Sequence, residues 1–182
     1  THGSKSTGSI PFMHVVDSQM LAFNQGVTRR GSYAAYMDIS HPEIEEFIEM
    51  RKSSGGDINR KCLNLHNGVN ITNEFLKAVE NNEEWRLIDP KSKEAIKVID
   101  ARYLWWQIIN ARAETGEPYI VNIDNCNDAL PQKQKDLGLQ IKQSNLCSEI
   151  TLPTNEERTA VCCLSSVNLE YFDEWSKDDS FI

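Results

Sequence analysis

The sequence lacks the features that would place it in a membrane or in a disulfide-stabilised secreted scaffold. No stretch reaches the roughly 18 apolar residues that a membrane-spanning helix needs. The N-terminus, THGSKSTGSI, is polar and does not resemble a signal peptide. The five cysteines are odd in number and irregularly spaced, and no C-x-x-C or paired Cys/His pattern accompanies them. We therefore expect no disulfide framework, no structural zinc and a reducing, cytoplasmic environment.

An excess of positive charge and an initiating methionine are also missing. Nineteen basic and 27 acidic residues give a formal net charge of −8, which argues against a broad nucleic-acid-binding face. The 182 residues suffice for one domain with a real core. Because the chain begins at Thr1 and ends in the polar SKDDSFI, we expect either a processed protein or a piece of a longer one.

Strand and helix patterns alternate along the chain, which is typical of the α/β class. Ser40 and Glu43 form a capping-box pattern, with Pro42 in the first turn of the helix that they would begin. Gly116 supplies a C-cap for another helix. The predicted strands cover residues 32–39, 68–71 and 117–124, and the predicted helices cover residues 40–52, 72–85 and 100–115.

The stretch NQGVTRRG, residues 24–31, predicts a flexible loop. It offers two glycines for close backbone approach and two guanidinium groups for a phosphate or a base edge. A solvated turn between two elements explains the same composition, so both interpretations stay open. The earlier GSKSTGS has the ingredients of a phosphate-binding loop but not their order, and it is not interpreted as one.

The stretch SNLCSEI places Asn145, Cys147 and Glu149 two residues apart. In an extended segment such residues point to the same face, so the three side chains would share a pocket. A thiol serves as nucleophile, redox partner or hydrogen-atom donor, a carboxylate serves as base, and a carboxamide holds a hydroxyl. The trio suits a polyol such as a sugar. A buried structural cysteine beside a solvent-facing glutamate is the competing interpretation.

Several long motifs resemble, in order, the large catalytic subunit of class I ribonucleotide reductase. They are NQGVTRRG with DISHPEIEEFIEMRK, ETGEPYIVNIDNCN, SNLCSEITLPT and TAVCCLSSVNL, and the resemblance runs along essentially all 182 residues. It implies that residues 1–182 form a single, incomplete segment of a ten-stranded α/β barrel. A finger loop with the catalytic cysteine would lie at about residues 144–150, and a specificity loop at about residues 23–31.

The resemblance also implies residue roles. Cys147 matches the cysteine that becomes a thiyl radical and abstracts the 3′ hydrogen of the ribose. Glu149 matches the carboxylate that takes the 3′-hydroxyl proton, and Asn145 matches the carboxamide that binds the ribose hydroxyls. Cys162 matches the second member of the cysteine pair that supplies two electrons. In the family its partner lies upstream of the stretch with which this chain begins, and adjacent Cys163 is given no catalytic role.

The specificity loop links the effector site to the substrate base in this family. By resemblance, Gln25, Gly26 and Val27 would form its hinge, and Arg29 would contact the substrate base or phosphate. The effectors expected from the family are ATP, dATP, dTTP and dGTP. The loop would thus couple two distinct sites, as allostery requires.

The same resemblance implies the partners. The substrate would be a ribonucleoside diphosphate, and the radical would come from a metal-containing small subunit. The reductant would be of the thioredoxin or glutaredoxin type, and the large subunit would be a homodimer. We expect no metal ligands in this segment, no membrane and no direct nucleic-acid contact. The segment alone should be inactive. A non-catalytic nucleotide-binding or assembly fragment is the main alternative, and a hydrolase with Cys147 as nucleophile ranks behind it.

Overall fold

A computed structural model describes residues 6–178, without the side chains of residues 24 and 25. The strands are β1 (Asn24–Gln25), β2 (Arg29–Arg30), β3 (Ala34–Asp38), β4 (His66–Ile71), β5 (Glu84–Ile88), β6 (Ala95–Asp100) and β7 (Tyr119–Asn122). The helices are α1 (Ile10–Ala22), α2 (Ile44–Glu49), α3 (Asn73–Asn81), α4 (Ala101–Thr115), α5 (Ile123–Asp128), α6 (Gln132–Asp136) and α7 (Phe172–Trp175). Short 3₁₀ helices cover Ile58–Arg60 and Leu169–Tyr171.

A parallel sheet of three strands, in the order β3-β4-β7, is the centre of the fold. The middle strand β4 is buried at every position from Asn67 to Ile71, as parallel strands covered on both faces are. The crossovers between these strands carry α2 and then α3, β5, β6 and α4. The alternation confirms the α/β class. No helix within residues 6–178 has both the length and the apolar character to cross a membrane.

Helix boundaries agree with the sequence where caps are strong. Asp100 accepts from the Tyr103 amide at 2.7 Å, and Gly116 ends α4 with a φ of 83°. The predicted helix 100–115 is therefore confirmed. Thr72 accepts from the Phe75 amide at 3.1 Å at the start of α3. These side chains satisfy backbone groups that helix ends leave without partners.

The capping box predicted at Ser40 is wrong. Helix α2 begins at Ile44, and neither Ser40 nor Glu43 caps it through a side chain. The Glu43 carboxylate instead accepts from the Ser9 amide at 2.9 Å and from the Ser9 hydroxyl at 2.7 Å, at the start of α1. The carboxylate that the local pattern assigned to the start of α2 thus binds Ser9, which is distant in the sequence. The helix is also shorter than residues 40–52.

An antiparallel hairpin of β5 and β6 replaces the end of the predicted helix 72–85. Helix α3 ends at Asn81, because Asn82 adopts a left-handed conformation with a φ of 58°. Trp85 and Leu87 are buried in β5, whereas its other residues are exposed. The Trp85 ring meets Phe75 edge-on, with ring centroids 5.2 Å apart. The hairpin therefore packs its apolar face onto α3.

The hydrophobic core lies between the parallel sheet and the helices α2, α3 and α4. Deleting large side chains of this kind typically costs about 2–5 kcal/mol each. The largest side chains with essentially no exposed surface are Phe47, Phe75, Ile10, Ile39, Ile44, Ile48, Met50, Leu65, Leu87, Leu104, Ile108 and Val69.

Candidate active site

Residues 144–150 form a tight turn that Asn145 closes. The Asn145 amide donates to the Ile150 carbonyl at 3.1 Å. The side-chain Oδ1 of Asn145 accepts from the amides of Glu149 and Ile150, each at 3.1 Å. The Ser148 amide donates to the Asn145 carbonyl at 3.2 Å. One asparagine therefore makes contacts through its amide, its carbonyl and its side-chain oxygen, and these hold the turn.

The expectation of an extended segment is wrong at this point. Residues 146–148 turn, and Ser148 has a φ of 70°, so the rule that alternate residues share a face does not apply. Cys147 and Glu149 are nevertheless both exposed at the tip of the turn. The buried structural cysteine of the competing interpretation therefore does not describe Cys147. The free side-chain NH₂ of Asn145 makes no hydrogen bond within residues 6–178, whereas its Oδ1 is occupied by the backbone.

Two tyrosines of the parallel sheet lie beside this turn. The Tyr36 hydroxyl donates to the Asn145 carbonyl at 2.9 Å. Burial raises the pKa of Tyr36 above its ordinary value, against the opposing hydrogen bonds with Ser148 and Ser144. Burial also raises the pKa of Tyr119, with smaller contributions from Glu117 and from Cys147. Both phenols are therefore neutral near pH 7, so the sheet presents no phenolate to the thiol.

Cys162 lies next to the same turn. A cleft of about 230 Å³ is lined by residues of the turn, among them Asn145 and Ile150, and by residues 159–162, including Cys162. Cys147, Cys162 and Cys163 are all exposed thiols. The structure thus places Cys162, the predicted redox cysteine, next to the predicted catalytic turn, although it follows Cys147 by 15 residues in the sequence.

The remaining two cysteines differ in their surroundings. Cys62 is fully buried, and burial, with a smaller contribution from Asp17, raises its pKa to about 12. Burial also raises the pKa of the half-buried Cys126. A thiol that keeps its proton at neutral pH is a poor nucleophile, so these two are structural cysteines.

The predicted specificity loop is a hairpin with a tight turn. Strands β1 and β2 pair Asn24 with Arg30 and Gln25 with Arg29, which gives the loop more order than its composition suggested. Gly26 has a φ of 73°, and Val27 at the tip is 98% exposed. Arg29 is exposed as well. The side chain of Gln25 lies outside what the structure describes.

Sequence reasoning missed Tyr36, Tyr119 and Ser144 as neighbours of the site. Ser144 is buried, and its hydroxyl donates to the Ile150 carbonyl at 2.8 Å. Its position next to Asn145 could have drawn attention to it. Tyr36 is 109 residues from Asn145, and no local pattern signals that contact.

The fold and the turn define a class: an α/β protein that presents a thiol and a carboxylate on a turn next to a parallel sheet. A family model described as "Ribonucleotide reductase, barrel domain" matches residues 1–181. The chain therefore belongs to the ribonucleotide reductase family, as a segment of its barrel domain.

Individual relatives agree with this assignment. The chain is 57% identical over 176 residues to the putative ribonucleoside-diphosphate reductase large subunit of Frog virus 3 (isolate Goorha), which covers 97% of this chain and 31% of the relative. It is 44% identical over 231 residues to the large subunit of Invertebrate iridescent virus 3, covering 97% and 36%. The chain thus spans about a third of the length of these curated relatives.

A solved structure supports the fold as well as the family. The Actinobacillus ureae class Id ribonucleotide reductase alpha subunit superposes with a TM-score of 0.73 at 32% sequence identity. The match covers 96% of this chain and 29% of that chain. The resemblance to the reductase large subunit, and with it the barrel assignment, is confirmed.

Proposed function

We propose that this chain carries the catalytic turn of a ribonucleoside-diphosphate reductase large subunit, which converts ribonucleotides to 2′-deoxyribonucleotides. The observation that carries the proposal is the turn of residues 144–150, which exposes Cys147 and Glu149 and shares a cleft with Cys162. Membership of the family supports it. The complete subunit, about three times as long, would supply the rest of the barrel.

In the proposed reaction, Cys147 begins and ends the chemistry. One-electron oxidation of its thiol is supplied by a metal-containing small subunit. The resulting thiyl radical takes the 3′ hydrogen atom of the ribose, and Glu149 accepts the proton of the 3′-hydroxyl. The 2′-hydroxyl leaves as water. A pair of thiols supplies two electrons and two protons and closes to a disulfide. Glu149 then returns its proton to the 3′-oxygen, and Cys147 returns the 3′ hydrogen atom, which leaves the thiyl radical on Cys147 again.

In this proposal Asn145 has two roles, and the hydrogen bonds of its Oδ1 support the first of them. Its Oδ1 holds the amides of Glu149 and Ile150, and its free NH₂ donates to a ribose hydroxyl. Cys162 is proposed as one member of the redox pair, and its position on the cleft that adjoins the turn supports this role. Its partner thiol comes from the part of the subunit upstream of this segment.

The hairpin of β1 and β2 is proposed as the specificity loop. Gln25 and Arg29 pair across it as neighbours on the two strands, with Gly26 and Val27 in the turn between them. A change in this turn would move Arg29 relative to the substrate base. The same proposal includes the effectors ATP, dATP, dTTP and dGTP and a reductant of the thioredoxin or glutaredoxin type. It also includes a homodimer of the large subunit and a cytoplasmic location.

The test is conversion of CDP to dCDP by the complete large subunit that contains this segment, with its small subunit and a dithiol reductant. We expect Cys147→Ser to abolish product, and Cys162→Ser to permit at most one partial turnover. Cys163→Ser, which removes an equally exposed neighbouring thiol, is the matched control and should retain activity. Normal turnover by Cys147→Ser would refute the proposal. Inactivity of all variants and of the wild type would favour a non-catalytic nucleotide-binding module.

A further inference from the structure

We propose that Tyr36 is a positioning residue for this reaction: its hydroxyl holds the Asn145 carbonyl and so fixes the turn that carries Cys147 and Glu149. The inference rests on the proposed function of the turn. Tyr36 is not proposed to contact the substrate; it affects Cys147 and Glu149 by holding the turn that carries them.

The position of the Tyr36 ring is set by the neighbouring strand. Tyr36 lies in the middle of β3 and pairs in register with Gly68 of β4. A Cβ atom built on Gly68 would lie 2.4 Å from Cε1 and 2.6 Å from Cδ1 of the Tyr36 ring. The ring therefore lies directly over Gly68, in space that any larger residue would occupy.

From that position the hydroxyl reaches the base of the turn. Tyr36 donates to the Asn145 carbonyl at 2.9 Å. The Asn145 carbonyl thus has two donors, one from the sheet and one from the Ser148 amide within the turn. Asn70 of β4 also donates to the Lys142 carbonyl at 2.8 Å, two residues before the turn. Within residues 144–150 themselves, the hydrogen bond that the structure describes to the sheet is the one from Tyr36.

The remaining hydrogen bonds of the turn are internal. Ser144 binds the Ile150 carbonyl, and Asn145 binds the amides of Glu149 and Ile150. These bonds fix the shape of the turn but not its placement on the sheet. Because hydrogen-atom abstraction depends on close approach of the reacting atoms, a displacement of about 1 Å lowers the rate strongly. Loss of the Tyr36 hydroxyl should therefore act on the chemical step rather than on substrate binding.

The experiment compares Tyr36→Phe with the wild type in the complete large subunit, together with its small subunit. Tyr33→Phe is the matched control, since Tyr33 lies just before β3 and its hydroxyl makes no hydrogen bond within residues 6–178. We expect kcat of Tyr36→Phe to fall about tenfold, as loss of one such hydrogen bond allows, with the KM for substrate unchanged. Tyr33→Phe should leave both constants unchanged.

Amide hydrogen exchange gives a readout independent of activity. In Tyr36→Phe, exchange of the amides in residues 144–150 should rise about tenfold, whereas exchange in β4 should stay at the wild-type rate. Wild-type exchange and kcat in Tyr36→Phe would overturn the inference. Equally faster exchange in β3 and β4 would also overturn it, since the residue would then act by general packing. A wild-type enzyme that forms no deoxyribonucleotide would instead refute the proposed function, and exchange would still decide the role of Tyr36.

Discussion

Replacing Glu117 by glutamine should destabilise the fold more than neutralisation of a paired but exposed carboxylate. Glu117 lies just before β7, and its side chain is only 9% exposed. Its Oε2 lies 3.1 Å from Nε of Arg51 and accepts from the Asn67 amide at 3.1 Å, and its Oε1 contacts the His66 ring. The substitution keeps the shape of the side chain but leaves the Arg51 guanidinium without its counter-charge.

The magnitude follows from distance and burial. Two unit charges 3.1 Å apart attract by about 5 kcal/mol at the effective dielectric constant of a protein surface. Breaking a buried pair from one side costs about 3–5 kcal/mol. Because the glutamine oxygen can still accept from the Asn67 amide, we expect the lower value, about 3 kcal/mol. For a chain of this size that lowers Tm by about 6–12 °C.

The assay is thermal unfolding followed by circular dichroism, with Glu114→Gln as the matched control. Glu114 also pairs with a cation, Lys52, at 3.3 Å, but its side chain is 49% exposed. Exposed pairs contribute about 0–1 kcal/mol, so the control should lower Tm by no more than about 4 °C. Equal effects of the two substitutions would show that burial does not set the strength of the Glu117 cluster, and the reasoning would fail.

Two further predictions concern residues 62 and 68. The folded protein holds the Cys62 proton more tightly than the unfolded chain, since burial raises the pKa of this thiol from 9.0 to about 12. The contribution of this thiol to the free energy of unfolding should therefore be fully present below pH 9. It should fall by up to about 1.4 kcal/mol per pH unit as the pH rises from 9 towards 12. In urea unfolding, Cys62→Ala should flatten this dependence on pH. Gly68→Ala should cost about 1–3 kcal/mol in the same assay, because its Cβ would lie 2.4 Å from the Tyr36 ring. Combining it with Tyr36→Leu should recover part of that loss, and no recovery would contradict the proposed clash.

Features that depend on a few neighbouring residues could be predicted from the sequence. Helix α4 was predicted within one residue, because Asp100 and Gly116 are strong local end signals. The predicted strand at residues 117–124 exists but is shorter, since the Asn122 side chain caps α5 and ends β7 early. The family could be identified from the sequence because several long motifs, including the one around Cys147, occur in order along the chain.

Features that depend on distant partners could not be predicted in this way. The Glu43 carboxylate binds Ser9, 34 residues away, and no local rule favours that over a capping box. The hairpin of β5 and β6 had a signal, the alternation of Trp85 and Leu87 with polar residues. The predicted helix 72–85 included the first two residues of β5, so this signal was missed. The turn at residues 144–150 has the expected reactive residues on a different backbone shape. Its shape depends on Ser148 adopting a positive φ, which the sequence does not indicate.

The two roles proposed for Asn145, in holding the turn and in binding the ribose, restrict how this position can vary. Aspartate would keep an oxygen for the amides of Glu149 and Ile150 but would lose the NH₂ group and add a negative charge beside Glu149. Serine would be too short to reach both amides, and glutamine would place its oxygen one methylene further out. In a saturation library selected for growth on this enzyme, position 145 should therefore tolerate fewer substitutions than the exposed Leu169, although Asn145 is itself only half-buried. A substitution at position 145 would therefore alter the hydrogen bonds that hold the turn and the proposed contact with the ribose at the same time.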